Sequence, residues 1–197
     1  MLKIEYIWRE LLYRSIEKKS PYFTIIELSR LFNLSTSVVF HAVFPLKGLG
    51  IVKIAKKRSK IVDTERLLFF WATRRNLKRD IFYTTHSSLP LYEKESSMPS
   101  NVVPTAYTAY RFLYNDTPSD YENIYFYTKD IEAIKRRFPE IRKKDANIFI
   151  LEQDPYLQRY KQIPLAQIFV DLWSLPEWYA KEFSDALLSK IKEKIGL

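Results

Sequence analysis

Residues 35–63, STSVVFHAVFPLKGLGIVKIAKKRSKIVD, gather the side chains of this sequence best suited to recognising another molecule. The chemistry they offer is hydrogen bonding and charge neutralisation, with no bond making. If a helix starts at Ser35, whose hydroxyl is placed to cap it, then Val39, Ala42, Val43 and Leu46 fall at i, i+3, i+4 and i+7 and form one buried stripe. Phe40, His41, Phe44 and Lys47 then face outward. Ser35, Thr36, Ser37, Phe40, His41 and Phe44 are candidates to reach base edges of DNA, the rings of Phe40 and Phe44 against thymine methyls and His41 through hydrogen bonds. Those two phenylalanines would serve equally well to pack on a neighbouring domain. Lys47, Lys53, Lys56, Lys57, Arg58 and Lys60 are candidates for phosphate contacts, with Lys56-Lys57-Arg58 as three consecutive cations on one loop.

These side chains need a scaffold, and the flanking sequence supplies one. Residues 4–18 read as a helix with Ile4, Ile7, Leu11 and Leu12 in its buried stripe and Glu5, Arg9, Glu17 and Lys18 outside it. Ser20-Pro21 ends it. Thr24, followed by Glu27, has the form of a capping box and opens a short helix to Phe32. Asn33-Leu34 then gives a tight turn into the helix at Ser35, the arrangement of a helix-turn-helix. Gly48 and Gly50, two of only three glycines, end that helix before strands at 51–54 and 60–63. Those strands and their cationic loop form a wing, so residues 1–80 are expected to be a winged helix-turn-helix DNA-binding domain. Residues 64–76 complete it as a helix, with Leu67, Leu68, Phe70 and Trp71 packed and Arg74 and Arg75 leading outward.

Residues 81–197 are expected to form a second domain serving a partner, an effector or self-association. A strand at 81–85 precedes a Ser- and Pro-rich loop at 86–101, and Pro104 fits the first position of a helix to Leu113. Strands at 123–127 and 147–151 alternate with helices at 130–138, 165–173 and 177–194. That order is α/β, α+β overall, with a parallel or mixed sheet covered by helices.

Charge divides along the same boundary. Residues 1–80 hold 17 lysines and arginines against 7 acids, whereas residues 81–197 hold 15 against 16. A basic first half on a near-neutral second half fits one domain meeting nucleic acid and the other meeting something else. A second cationic cluster, Lys135, Arg136 and Arg137 with Arg142, Lys143 and Lys144, reads as a solvated helix face or a supplementary nucleic-acid contact. Tyrosines 107, 110, 114, 121, 125 and 127 read as core and interface packing.

Other classes of function find little support. The chain has no cysteine and two histidines, which excludes disulfides, thiolate zinc sites and a structural metal site built from histidine alone. No glycine lies between 51 and 195, so the second half has no Gly-rich phosphate loop, Walker A motif or nucleophile elbow. Ser87-Ser88 lacks the Gly-Ser turn and spaced acids of a nucleotidyl transferase, and Asp116, Asp120 and Glu122 read as turn formers. The expectation is a non-enzyme without cofactor or metal. The start MLKIEYIWRE does not resemble a signal peptide, and no apolar run approaches the ~20 residues that span a bilayer. A cytoplasmic protein without a membrane partner is expected.

Three further segments, PTAYTAY at 104–110, NIYFY at 123–127 and NIFIL at 147–151, join PLAQIFVDLW at 164–173 and the amphipathic last helix in an order that resembles the AbiEi family. The most specific piece is Gln167 to Leu172, where that family typically shows a glutamine, a few apolar residues and Asp-Leu. Gln167 and Asp171, four apart, would share a helix face. The resemblance implies a transcriptional regulator, a repressor of its own promoter, or an antitoxin of a type IV toxin-antitoxin system. It implies a second domain like a nucleotidyltransferase fold stripped of its catalytic motif, acting against a nucleotidyltransferase-like toxin. Double-stranded DNA and a cognate toxin protein are the partners it suggests, and a second copy in a homodimer is a further expected partner.

Overall fold

Helix α1 (Lys3–Ile16) is the hub of the fold, packed against helices from both halves of the chain. The computed structural model describes residues 1–141 and 144–196. After α1 come β1 (Tyr22–Phe23), α2 (Ile25–Leu31), α3 (Thr36–Gly48), β2 (Val52–Lys53), β3 (Ser59–Ile61) and α4 (Thr64–Ala72). The three short strands form an antiparallel sheet in the order β1-β3-β2, with Tyr22 opposite Lys60 and Lys53 opposite Lys60 on its other side. Strand β1 is additional to the elements read from the sequence, because two residues are too few to display a period of two.

Local chemistry explains where these helices begin. The Thr24 hydroxyl accepts from Glu27 N (3.1 Å), Ser35 from Val38 N (3.3 Å), and the Asp63 carboxylate from Arg66 N (2.8 Å). Each cap satisfies one of the amides left without a partner in a first turn. Helix α4 is shorter than the reading of 64–76, and a 3-10 turn at Leu77–Asp80 follows it.

The second half contains β4 (Ile81–Thr85), α5 (Leu91–Ser96), β5 (Val103–Thr105), α6 (Ala106–Tyr114), β6 (Ile124–Thr128), α7 (Ile131–Arg137), β7 (Ile148–Glu152), α8 (Leu165–Trp173) and α9 (Ala180–Ile195). Its sheet runs β4-β7-β6-β5, with β6 and β7 parallel across α7 and the outer pairs antiparallel. The chain is therefore a mixed α/β fold. Every residue of β6 is buried, as expected of an inner strand covered on both faces.

Two local readings need correction. Residues 91–96 form α5, not loop, and Pro104 lies within β5, not at the start of a helix. Strand β5 is an edge strand, where a missing amide costs nothing. The turn into α6 is made at Ala106, whose φ of 50° is in the left-handed region, a conformation that a residue with a Cβ adopts only under constraint from its surroundings.

A third correction concerns the face of α1. Glu5 and Arg9, read as lying outside the buried stripe, are both buried, and so is Arg75, read as leading outward. Helices α3, α4, α8 and α9 all pack against α1, and the buried polar residues meet different neighbours: Glu5 meets Trp71 of α4, and Arg9 meets Asp154 and, in α8, Gln167. Arg74 does remain exposed, with its guanidinium 3.7 Å from the centre of the Phe70 ring.

Candidate nucleic-acid interface

Helix α3 separates its two faces sharply. Val39, Ala42, Val43 and Leu46 are fully buried, whereas Phe40 and Phe44 are 43% and 53% exposed. Trp8 Nε1 donates to the Ala42 carbonyl (2.8 Å) and so fixes the inner side of α3 to α1. On the outer side the Phe40 and Phe44 rings lie 5.1 Å apart, tilted by 30°, with the His41 ring 6.5 Å from Phe40. Ser35, Thr36, Ser37, His41 and Lys47 are also exposed. The capping bond occupies a lone pair of the Ser35 oxygen and leaves its hydrogen free to donate outward.

Lys53, Lys56, Lys57, Arg58 and Lys60 are exposed on the β2–β3 hairpin. Among the described residues none of them, nor Lys47, makes an ion pair. Ala55 N donates to Ser59 Oγ (3.4 Å), closing the loop that carries the three consecutive cations. Tyr22, which sequence reasoning passed over, belongs to this surface. The Arg58 guanidinium lies 4.3 Å from its ring centre and Lys60 Nζ lies 5.8 Å away. An aromatic face under two cations holds them on one side of the hairpin while leaving their charge unneutralised. The signal was an aromatic residue beside Phe23, overlooked because no strand was expected there.

The second cationic cluster is arranged differently. Lys135 pairs with Glu132 (3.3 Å), and Arg137 Nη1 donates to the Ser97 carbonyl (2.8 Å), tying α7 to the end of α5. Arg136 and Lys144 are exposed, and Arg142 and Lys143 lie outside the described residues.

A buried polar network is centred on Asp171. Gln167 Nε2 donates to Asp171 Oδ1 (3.0 Å), so these two residues do share a face of α8. Arg75 Nε also donates to Oδ1 (2.9 Å), while Tyr127 Oη (2.6 Å) and Thr105 Oγ1 (2.8 Å) donate to Oδ2. Arg75 reaches on through Nη1 to Asp80 (2.5 Å) and through Nη2 to the Tyr127 oxygen (3.1 Å). Beside it Arg9 forms a two-pronged pair with Asp154 at 2.6 and 2.8 Å, and Glu5 accepts from Trp71 Nε1 (3.1 Å).

Electrostatics keeps Tyr127 and Arg75 protonated. Burial, followed by the Asp171 charge, pushes the Tyr127 phenol well above its ordinary range, so it acts as a donor. Burial alone would lower the Arg75 pKa, but Tyr127, Asp171, Asp80 and Glu5 together raise it well above its usual value. The network therefore joins α1 and the segment after α4 to β5, β6 and α8 by charge-assisted bonds. Through Trp8 the same α1 holds α3.

At the far end of α1, Glu17 Oε1 accepts from Leu165 N (2.8 Å), satisfying the first amide of α8. Burial is the main cause that raises this carboxyl from the usual 4.5 to about 7, against the lowering effect of that bond and of Lys194 and Lys18. A carboxyl raised in the folded state holds its proton while the unfolded chain has lost it. Stability is therefore expected to fall as pH rises from about 4.5 to about 7. Glu17→Gln removes the effect, and above pH 7 it is expected to be more stable than the parent by on the order of 1–2 kcal/mol after screening by the neighbouring lysines. Urea titrations of both chains at a series of pH values measure this, and parallel pH profiles would contradict it.

Among the described residues no group of three or more histidines and carboxylates is placed to hold a metal ion, and no helix is long and apolar enough to cross a membrane. Compared with protein-family models, with curated proteins and with solved structures, the chain matches none.

Proposed function

We propose that this protein is a DNA-binding transcriptional regulator whose residues 1–80 act as a winged helix-turn-helix. The observation that carries the reading is the outer face of α3, polar and aromatic opposite a fully buried stripe, beside a cationic hairpin without ion-pair partners among the described residues. The order α1-β1-α2-α3-β2-β3, with its sheet ordered β1-β3-β2, supports it. In this reading α3 enters the major groove, where Ser35, Thr36, Ser37 and His41 meet base edges, and Phe40 and Phe44 meet thymine methyls. Lys53, Lys56, Lys57, Arg58 and Lys60 neutralise phosphates flanking the groove.

Residues 81–197 then serve as a non-catalytic α/β domain, in keeping with the resemblance to AbiEi regulators and to a nucleotidyltransferase fold without its motif. Repression of its own promoter is the expected outcome. His41 is tested by substitution. His41→Ala is expected to narrow the affinity gap between preferred and random DNA roughly 3- to 10-fold, the worth of one hydrogen bond. An unaltered gap in a competition titration would remove His41 from base recognition.

One feature favours a protein-binding role beside the first. Trp178 is 73% exposed and Trp173 46%, and two large aromatic side chains on one domain are the usual anchors of protein contacts. In the antitoxin version of the reading they meet the toxin. Co-purification that survives in the parent and is lost in a Trp173→Ala, Trp178→Ala double variant would support it.

A further inference from the structure

A helix ends on carbonyls that no amide of its own reaches, and where other chain packs around them they take donors from elsewhere. At the end of α2 two of those donors come from the second half of the sequence. The Tyr156 hydroxyl donates to the Phe32 carbonyl, and Arg159 Nη1 donates to the Leu31 carbonyl (3.3 Å), across 124 and 128 residues. The Tyr156 ring also meets Phe32 and Tyr6 edge-on, with centres 5.0 and 5.2 Å apart. Its backbone is held in turn. Tyr156 N donates to Asp154 Oδ1 (2.9 Å), and the same carboxylate receives both prongs of Arg9 from α1.

Phe32 is also where the turn into α3 begins. Asn33 follows it with a φ of 47°, in the left-handed region, and Ser35 caps the next helix. The local bonds, from Asn33 N to the Arg30 carbonyl (3.4 Å) and from Leu34 N to the Ser29 carbonyl (3.0 Å), close the turn on α2 and tie it to no other element. We infer that Tyr156 is a positioning residue for DNA recognition. By holding the Phe32 carbonyl it fixes the turn from which Ser35, Thr36 and Ser37 are presented, and so makes sequence discrimination by the first half depend on the second. The inference rests on the DNA-binding reading. Reading base edges needs the first turn of α3 in place to within about 0.5 Å, whereas the hairpin cations attract phosphates over several ångströms. Loss of the bond lowers the share of molecules with α3 correctly seated, and affinity for preferred DNA falls by that share while affinity for random DNA does not.

The test is a competition titration of the full chain on its upstream duplex against a scrambled one, with the parent, Tyr156→Phe and Tyr83→Phe. Tyr156→Phe keeps the ring against Phe32 and Tyr6 and removes only the hydroxyl. Tyr83→Phe is the matched control, because it deletes another hydroxyl that donates to a carbonyl, that of Phe138 (2.7 Å), within the second half. Tyr156→Phe is expected to narrow the affinity gap between the duplexes about 3- to 10-fold, the worth of one hydrogen bond, with the salt slope unchanged. Tyr83→Phe is expected to leave the gap as in the parent. Hydrogen exchange of the free protein is expected to quicken at amides 33–38 in Tyr156→Phe alone. A parent that does not discriminate would remove the DNA-binding reading and this inference with it. Discrimination by the parent that Tyr156→Phe retains would overturn the inference alone. So would a gap narrowed equally by Tyr83→Phe, or exchange raised uniformly along the chain, since either makes the effect one of general stability.

Discussion

Asp171→Ala is expected to lower the folding stability of this protein by about 3–5 kcal/mol, the cost of stranding a buried charge. Asp171 accepts from four side chains, Arg75, Thr105, Tyr127 and Gln167. Its removal leaves the Arg75 guanidinium, itself wholly buried, with less compensation than it was built for. It also leaves the Thr105 and Tyr127 hydroxyls without their acceptor. For a chain of this size the loss corresponds to roughly 10 °C in Tm. Asp171→Asn keeps the shape and one acceptor oxygen but removes the charge, and is expected to fall between the alanine variant and the parent. Guanidinium titrations of the three chains measure the order, and an alanine variant within about 1 kcal/mol of the parent would show that the network carries little. Arg75→Met combined with Asp171→Leu is expected to recover part of the loss, because removing both charges costs less than removing one.

The second large effect is on DNA. Changing Lys56, Lys57 and Arg58 together to alanine is expected to weaken binding to every sequence and to flatten its salt dependence. Each phosphate contact contributes about 0.9 to the slope of log affinity against log salt, so three lost contacts reduce the slope by about 2.7. At about 0.2 M salt that difference amounts to a loss on the order of 10–100-fold. The three side chains are exposed and make no ion pair among the described residues, so stability should change little. Preference among sequences should also survive, because phosphate contacts position the protein and do not read bases. Fluorescence anisotropy at stepped salt separates these outcomes, and an unchanged slope would remove the hairpin from the interface.

Helices α3 and α8 could be read from sequence because their apolar spacing is long and regular. Val39, Ala42, Val43 and Leu46 fall on one face, and α8 begins and ends at the expected residues 165 and 173. The caps at Thr24 and Ser35 were visible for the same local reason. Strand β1 was not, because its two residues owe their conformation to pairing with β3, almost forty residues later. Pro104 is not placed by sequence alone, because an N-terminal helical proline and an edge-strand proline look alike until the neighbouring strand is known.

The buried network shows a different limit. The spacing of Gln167 and Asp171 pairs them on one helix face, but residue type alone places their arginine partner at the surface. Arg75 lies 96 residues from Asp171, and Arg9 lies 145 from Asp154. An arginine on a helix is ordinarily solvated, and Arg9 is turned inward by partners from the second half, Asp154 and, in α8, Gln167. Of the candidate interface, the residues on α3 and the hairpin were identified from local pattern and charge. Tyr22, which aligns two of the cations, depended on the unseen strand.

The most direct test of DNA recognition is a titration of the purified protein on a labelled duplex taken from upstream of its own coding region. A scrambled duplex of equal composition serves as competitor, over salt from about 50 to about 300 mM. Recognition through α3 and the hairpin predicts affinity for the upstream duplex at least ~1000-fold above the scrambled one, with a steep salt slope. Equal affinity for both duplexes, or no binding to either at the lowest salt, would contradict it and shift attention to the second half of the chain and the partner it meets.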